Sequence, residues 1–271
     1  MRSLFVFVVL FASAALNAAD PKPLLRAHAH NDYEHPRPLF DAIDRGFCSI
    51  EADVYLIDGR LLVAHDRKDV KPERTLARLY LEPLQQLIRQ NGGRVFRNGP
   101  GIILLVDVKS EAGATYAALH TELAKFAGML TTFEAGSNKP GAVTVIVSGN
   151  RAPQDLLAQP VRYAAIDGRK DDLEVNTPAA LVPLVSENWR KIFTWDWEGE
   201  MPAAERTGLK QWVERAHGQG RKVRFWNTPD RADAWRILLE AGVDIIGTDD
   251  LGGLQRFLLG ARESGTVREA K

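Results

Sequence analysis

Three observations predict a closed (β/α)8 TIM barrel. Eight short apolar runs rich in β-formers recur along the 271 residues. Most are separated by stretches whose apolar residues return at three- and four-residue steps, the signature of an amphipathic helix. Strand–helix alternation in turn demands parallel strands, because a parallel return needs a crossover. Eight such strands fit the roughly 250 residues usual for one barrel. An open doubly wound sheet is the competing arrangement, but no glycine-rich phosphate loop follows the first run.

The chain opens on MRSLFVFVVLFASAALNAAD, with Arg2, an apolar core from Leu4 to Leu16 and small residues at Ala18-Ala19. This layout predicts a signal peptide over residues 1–19 and an exported chain, periplasmic or secreted. Residues 20–260 read as the barrel and 261–271 as a C-terminal tail. Strand one is LLRAHAH (24–30) and strand two FCSIEADVYL (47–56). Strand two runs into a hairpin, YLIDGRLLVAH (55–65), where Asp58-Gly59 signals a type I′ turn. GIILLVDVKS (101–110) is strand three, and a helical face of Tyr116, Leu119, Leu123, Phe126 and Leu130 follows over 115–130. AVTVIVSG (142–149), YAAIDG (163–168) and KIFTWDW (191–197) read as strands four to six. A helix over 203–217, stopped by Gly218 and Gly220, leads to VRFWNTP (223–229). A last helical pattern, 230–242, precedes VDIIGTDD (243–250).

Composition narrows the function classes. A net charge of +0 offers no global attraction to nucleic acid or anionic lipid. The single cysteine, Cys48, sits in an apolar run and cannot form an intramolecular disulfide. No segment after the leader approaches the roughly 20 apolar residues of a membrane span. Any contact with nucleic acid or a lipid surface must therefore be local.

In a barrel of this kind the chemistry sits at the C-terminal ends of the strands. Those ends carry His28, His30 and Asn31, then Glu51 and Asp53, then Asp107 and Lys109, with Asn150, Asp167, Asp196, Asn227 and Asp249 on later runs. Alternation of faces points Glu51 and Asp53 the same way, and likewise Asp107 and Lys109. A carboxylate amid apolar residues, as in CSIEADVYL, wants a cation. Three of them with only oxygen donors suit a hard divalent ion, Mg²⁺ or Ca²⁺. The plainer alternative is a structural ion pair with Lys109 or an arginine. The H-x-H of strand one also admits a zinc-dependent amidohydrolase-like site, which would need further histidines from middle strands. A non-catalytic binding barrel is a third reading.

The set RAHAHNDY, GFCSIEADVYLIDGRLLVAHD, LLVDVKS, VRFWNTPD and AGVDIIGTDDL resembles the phospholipase C-like phosphodiesterase superfamily. This superfamily includes the glycerophosphodiester phosphodiesterases. H-x-HNDY resembles the branch named for altered inheritance of mitochondria protein 6. The resemblance implies a metal-dependent phosphoric diester hydrolase acting on a small or lipid phosphodiester. It implies metal ligands at Glu51, Asp53 and Asp107 and an acid/base pair of His28 and His65. His30, Asn31, Lys109 and Trp226 would contact or shape the substrate. Ala29 stands where the glycerophosphodiesterases carry an arginine, and His30 is an extra histidine of the same strand parity as His28.

Overall fold

The computed structural model describes residues 20–134, 137–175 and 177–263; the predicted leader and most of the predicted tail lie outside them. Eight parallel strands close on themselves. They are β1 (Leu24–Ala29), β2 (Phe47–Ile57), β3 (Ile102–Val108), β4 (Val143–Gly149), β5 (Ala164–Gly168), β6 (Leu184–Asn188), β7 (Lys222–Trp226) and β8 (Ile245–Thr248). Each pairs in parallel with its neighbours in sequence, and β8 pairs with β1 to complete the ring. Strands buried on both faces read as near-continuous apolar runs, and IILLVDV and VTVIVSG are of that kind. The final helix, Leu251–Glu263, runs past the predicted domain end at residue 260. Among the described residues no helix is long and apolar enough to cross a membrane.

The hairpin forms as expected. The strand Arg60–Val63 folds back antiparallel on β2, with Ile57 opposite Arg60. Asp58 and Gly59 both take positive φ, 50° and 73°, as a type I′ turn requires. This arm carries His65 back to the mouth. The helix expected over 115–130 is shorter, Ala112–Ala124. It is started by the Glu111 side chain, which accepts from the backbone N–H groups of Gly113 and Ala114 at 2.8 and 2.7 Å.

Strand six is misplaced in the sequence reading. It is Leu184–Asn188, and KIFTWDW is the connection that follows it. The aromatic residues that suggested a strand pack on one another instead: Trp189 lies 4.3 Å from Trp197 and 4.4 Å from Phe193, centroid to centroid. Trp197 sits at φ 71°, which no strand residue adopts. Packing has overridden propensity. Asp196 is consequently an exposed loop residue rather than a strand-end acid, and Trp195 and Trp197 are buried packing residues.

Candidate active site

The register of β2 and β3 builds the floor of the mouth. Asp53 stands directly opposite Asp107, and Glu51 lies two residues earlier on the same face of β2. One oxygen from each of Glu51, Asp53 and Asp107 can be chosen so that all three lie within 4.8 Å of one another. Lys109 closes one side of this group, its Nζ 3.0 Å from Asp53 Oδ2 and 2.9 Å from Asp107 Oδ2. The other two oxygens, Asp53 Oδ1 and Asp107 Oδ1, are buried without a partner. Buried acceptors left this way want a donor or a cation. Burial together with the Glu51 charge pushes the Asp53 carboxyl up to about 6. Burial also raises Asp107, against the pull of Lys109. A hard divalent ion fits this donor set, which is the sole cluster of metal-binding grade among the described residues.

Behind the floor lies a second set of contacts. Glu51 Oε2 takes hydrogen bonds from His28 Nε2 at 2.9 Å and from Arg224 Nη2 at 3.0 Å. Burial alone would raise this carboxyl, but Arg224 and His28 hold it well below the usual carboxylate range. His28 Nδ1 meets the Ser49 hydroxyl at 2.7 Å. Both ring nitrogens of His28 are thus occupied, and its side chain is 1% exposed. Burial and the nearby guanidinium lower its pKa to about 4, so Nε2–H donates to Glu51 and Nδ1 accepts from Ser49.

The other two histidines face open space. His30 and His65 both line a cavity of about 400 Å³, together with Glu51, Asp107, Lys109 and Trp226. His30 Nδ1 lies 2.8 Å from Asp249 Oδ1. Burial would lower this ring's pKa, but the Asp249 hydrogen bond and the Glu51 charge raise it overall. His65 Nδ1 lies 3.1 Å from the Tyr33 hydroxyl and 3.4 Å from Asp53 Oδ2. Neither Nε2 has a partner among the described residues. A second hollow of about 260 Å³ shares His30, Arg224 and Trp226 with the first and extends to Asn227 and Asp230.

The structure therefore gathers seven of the nine sequence-read site residues around one cavity and sets Asp53 and His28 beneath it. The histidines a zinc site would need do not gather. His217 pairs with Asp244 at 2.7 Å, and His120 lies between Tyr116 and Tyr163 as a packing residue. Arg224, Arg169, Tyr33 and Ser49 went unread. Arg224 has the parity of Trp226 on β7, a usable signal. Arg169 follows Asp167 by two residues and donates to it at 2.7 Å and to Ser148 Oγ at 3.1 Å. Ser49 gave none, since a serine in an apolar run reads as packing. Tyr33 was legible only as part of the H-x-HNDY motif, which does not say that its hydroxyl reaches Asp53 and His65.

Gly149 ends β4 at φ 67°, and a Cβ there would overlap Asp107 Oδ1 and the Val108 backbone. Gly149→Ala should lower stability by about 1–3 kcal/mol and turn the Asp107 carboxylate out of the cluster. Thermal unfolding alongside metal titration checks both effects; unchanged behaviour in both would mean that the close approach is unimportant.

Comparison with known proteins places the chain in a family. Residues 18–166 match the family described as AIM6-like phosphodiesterase domain, and residues 222–252 match the glycerophosphoryl diester phosphodiesterase family. Altered inheritance of mitochondria protein 6 of Eremothecium gossypii is 29% identical over 88% of this chain and 70% of its own. The homologue from Arthroderma benhamiae is 27% identical over 85% and 82%. The crystal structure of a glycerophosphodiester phosphodiesterase from Parabacteroides distasonis superposes with a TM-score of 0.54 at 16% identity, covering 89% of this chain and 99% of that one. That structural likeness bears on the fold alone. With its barrel, its E-x-D floor and a family match over more than half its length, the chain belongs to the AIM6-like phosphodiesterase domain family, on the glycerophosphodiester phosphodiesterase-like fold.

Proposed function

We propose that this chain is a divalent-metal-dependent phosphoric diester hydrolase in which His30 and His65 are the acid/base pair. One observation carries the reading: two imidazoles with free Nε2 atoms line the same cavity as a partly unsatisfied carboxylate cluster. A phosphodiester carries negative charge that increases on attack. Glu51, Asp53 and Asp107 would hold the ion, Mg²⁺ or Ca²⁺, and a bound ion supplies charge stabilisation at the phosphoryl oxygens. Lys109 lends a fixed positive charge at the same place. One imidazole takes the proton of the attacking hydroxyl through Nε2, and the other gives a proton to the leaving oxygen.

The acid/base role that the sequence suggested for His28 moves to His30 in this proposal. A ring with both nitrogens bonded inside the barrel cannot exchange protons with a substrate in the cavity. His28 instead holds Glu51. Asp249 orients His30, leaving Nε2 as the exchanging atom. Trp226, 37% exposed and shared by both hollows, offers a flat apolar face for one substrate alcohol. We extend the proposal to an exported chain, on the strength of the Arg2-to-Ala19 leader pattern, and to a glycerophosphodiester or phospholipid-like substrate, on the strength of the family matches.

The test is a screen of glycerophosphodiesters and lysophospholipids with added Mg²⁺, Ca²⁺ or EDTA. Hydrolysis that EDTA abolishes and one of the ions restores is expected. No hydrolysis of any phosphodiester under any metal would favour a binding barrel.

A further inference from the structure

We infer that Asn31 and Tyr33 form a hydrogen-bond bridge between the two histidines that fixes each as its Nδ1–H tautomer; this rests on the acid/base reading above. The HNDY turn follows directly on β1. Asn31 takes the left-handed conformation, φ 48°, ψ 38°, which asparagine tolerates better than most residues. Asp32 anchors the turn from below, accepting from the Leu39 backbone N–H at 2.5 Å and the Tyr80 hydroxyl at 2.9 Å. Tyr33 is thereby buried, 3% exposed, with its hydroxyl between the arm and the floor.

That hydroxyl meets three groups: Asp53 Oδ2 at 2.7 Å, Asn31 Oδ1 at 2.7 Å and His65 Nδ1 at 3.1 Å. It has one proton to give, and the carboxylate is the strongest acceptor of the three. The oxygen's two lone pairs then face Asn31 and His65. His65 must donate from Nδ1, which leaves Nε2 as the free lone pair. The Asn31 amide is the remaining piece. Its Nδ2 lies 3.2 Å from His30 Nδ1, a nitrogen whose proton is committed to Asp249. Donor would meet donor there. Turned by half a rotation, the amide oxygen shares the His30 Nδ1–H with Asp249 as the longer arm of a three-centre bond, and its NH2 donates to Tyr33, so no donor meets a donor. A chain of contacts then runs Asp249–His30–Asn31–Tyr33–His65, with Asp53 as the acceptor for the tyrosine proton. Both histidines present the same atom, Nε2, and neither ring can turn over without breaking the chain.

Tyr33 and Asn31 are positioning residues on this account. Tyr33→Phe keeps the buried ring and removes only the hydroxyl. It should lower kcat about 10–100-fold, the usual effect of losing such an outer partner, with KM changed by less than about two-fold. The second readout does not depend on catalysis. Histidine ¹⁵N NMR on metal-free protein, at a pH where the rings are neutral, should show His30 and His65 as Nδ1–H forms. In Tyr33→Phe, His65 should move toward the Nε2–H form that free imidazole favours, while His30 keeps its Asp249 bond. Asn31→Asp suits the same backbone but cannot donate to Tyr33. It should lower kcat in the same direction while leaving His65 in the Nδ1–H form, because the Tyr33 hydroxyl is still present to accept from it. An Nε2–H His65 in the wild-type protein, or an unchanged tautomer in Tyr33→Phe, overturns the bridge. An inactive wild type would defeat the proposed function, and the NMR arm would still decide the bridge.

Discussion

His30→Ala and His65→Ala should each lower kcat by about 10²–10⁴-fold, the range general acid–base assistance typically supplies. Both side chains line the open cavity, so both variants should fold, and added imidazole should restore part of the lost rate. The rate–pH profile of the wild type should be bell-shaped, because one ring must be neutral while the other is protonated. His28→Ala is the instructive contrast. Its ring is buried between Ser49 and Glu51, so its removal leaves a hydroxyl and a carboxylate short of a partner. An unsatisfied buried group costs about 1–3 kcal/mol. His28→Ala should therefore show lowered thermal stability, and imidazole in solution should not rescue its activity. If His28→Ala is stable, inactive and rescued while His30→Ala is active, the histidines exchange roles.

The two histidines also show where sequence reasoning ends. Their common parity was legible, and so was their proximity to a metal-type floor, because E-x-D and D-x-K on adjacent strands dictate it. Depth along the strand axis was not legible. His28 is level with Ser49 inside the barrel, whereas His30 lies just beyond the strand end, bonded to Asp249. Two residues along a strand amount to about 7 Å, enough to separate a buried pillar from a pocket wall. The misplaced sixth strand has a related cause. KIFTWDW carries stronger β-propensity than PLVSEN, and only the packing of Trp189, Phe193, Trp195 and Trp197 reveals that those rings serve a cluster rather than a sheet. Arg224 was missed because VRFWNTP displays an obvious tryptophan. Its guanidinium matters through Glu51, which is 173 positions away in sequence.

Glu51→Gln and Asp107→Asn should each abolish metal-dependent hydrolysis, but through different losses, and calorimetric metal titration separates them. Asp107 Oδ2 accepts from Lys109 Nζ, and its Oδ1 is buried without a partner. Asp107→Asn removes one charged ligand from a three-carboxylate site. Because affinity for a hard cation depends on the number of charged oxygen ligands, its Mg²⁺ or Ca²⁺ isotherm should flatten, with little change in stability. Glu51 also neutralises Arg224, which has no other hydrogen-bonded carboxylate among the described residues. Glu51→Gln keeps the shape but leaves the guanidinium without its counter-charge, and breaking a buried pair this way is destabilising by about 3–5 kcal/mol. It should therefore lose metal binding and unfold at lower temperature. The double variant Glu51→Gln/Arg224→Met removes both charges together and should recover much of the stability while remaining inactive. If Asp107→Asn binds either ion with wild-type affinity, the three carboxylates are a lysine-bridged structural cluster and the metal-dependent mechanism fails. If Glu51→Gln leaves stability unchanged, the Arg224 contact does not support the floor.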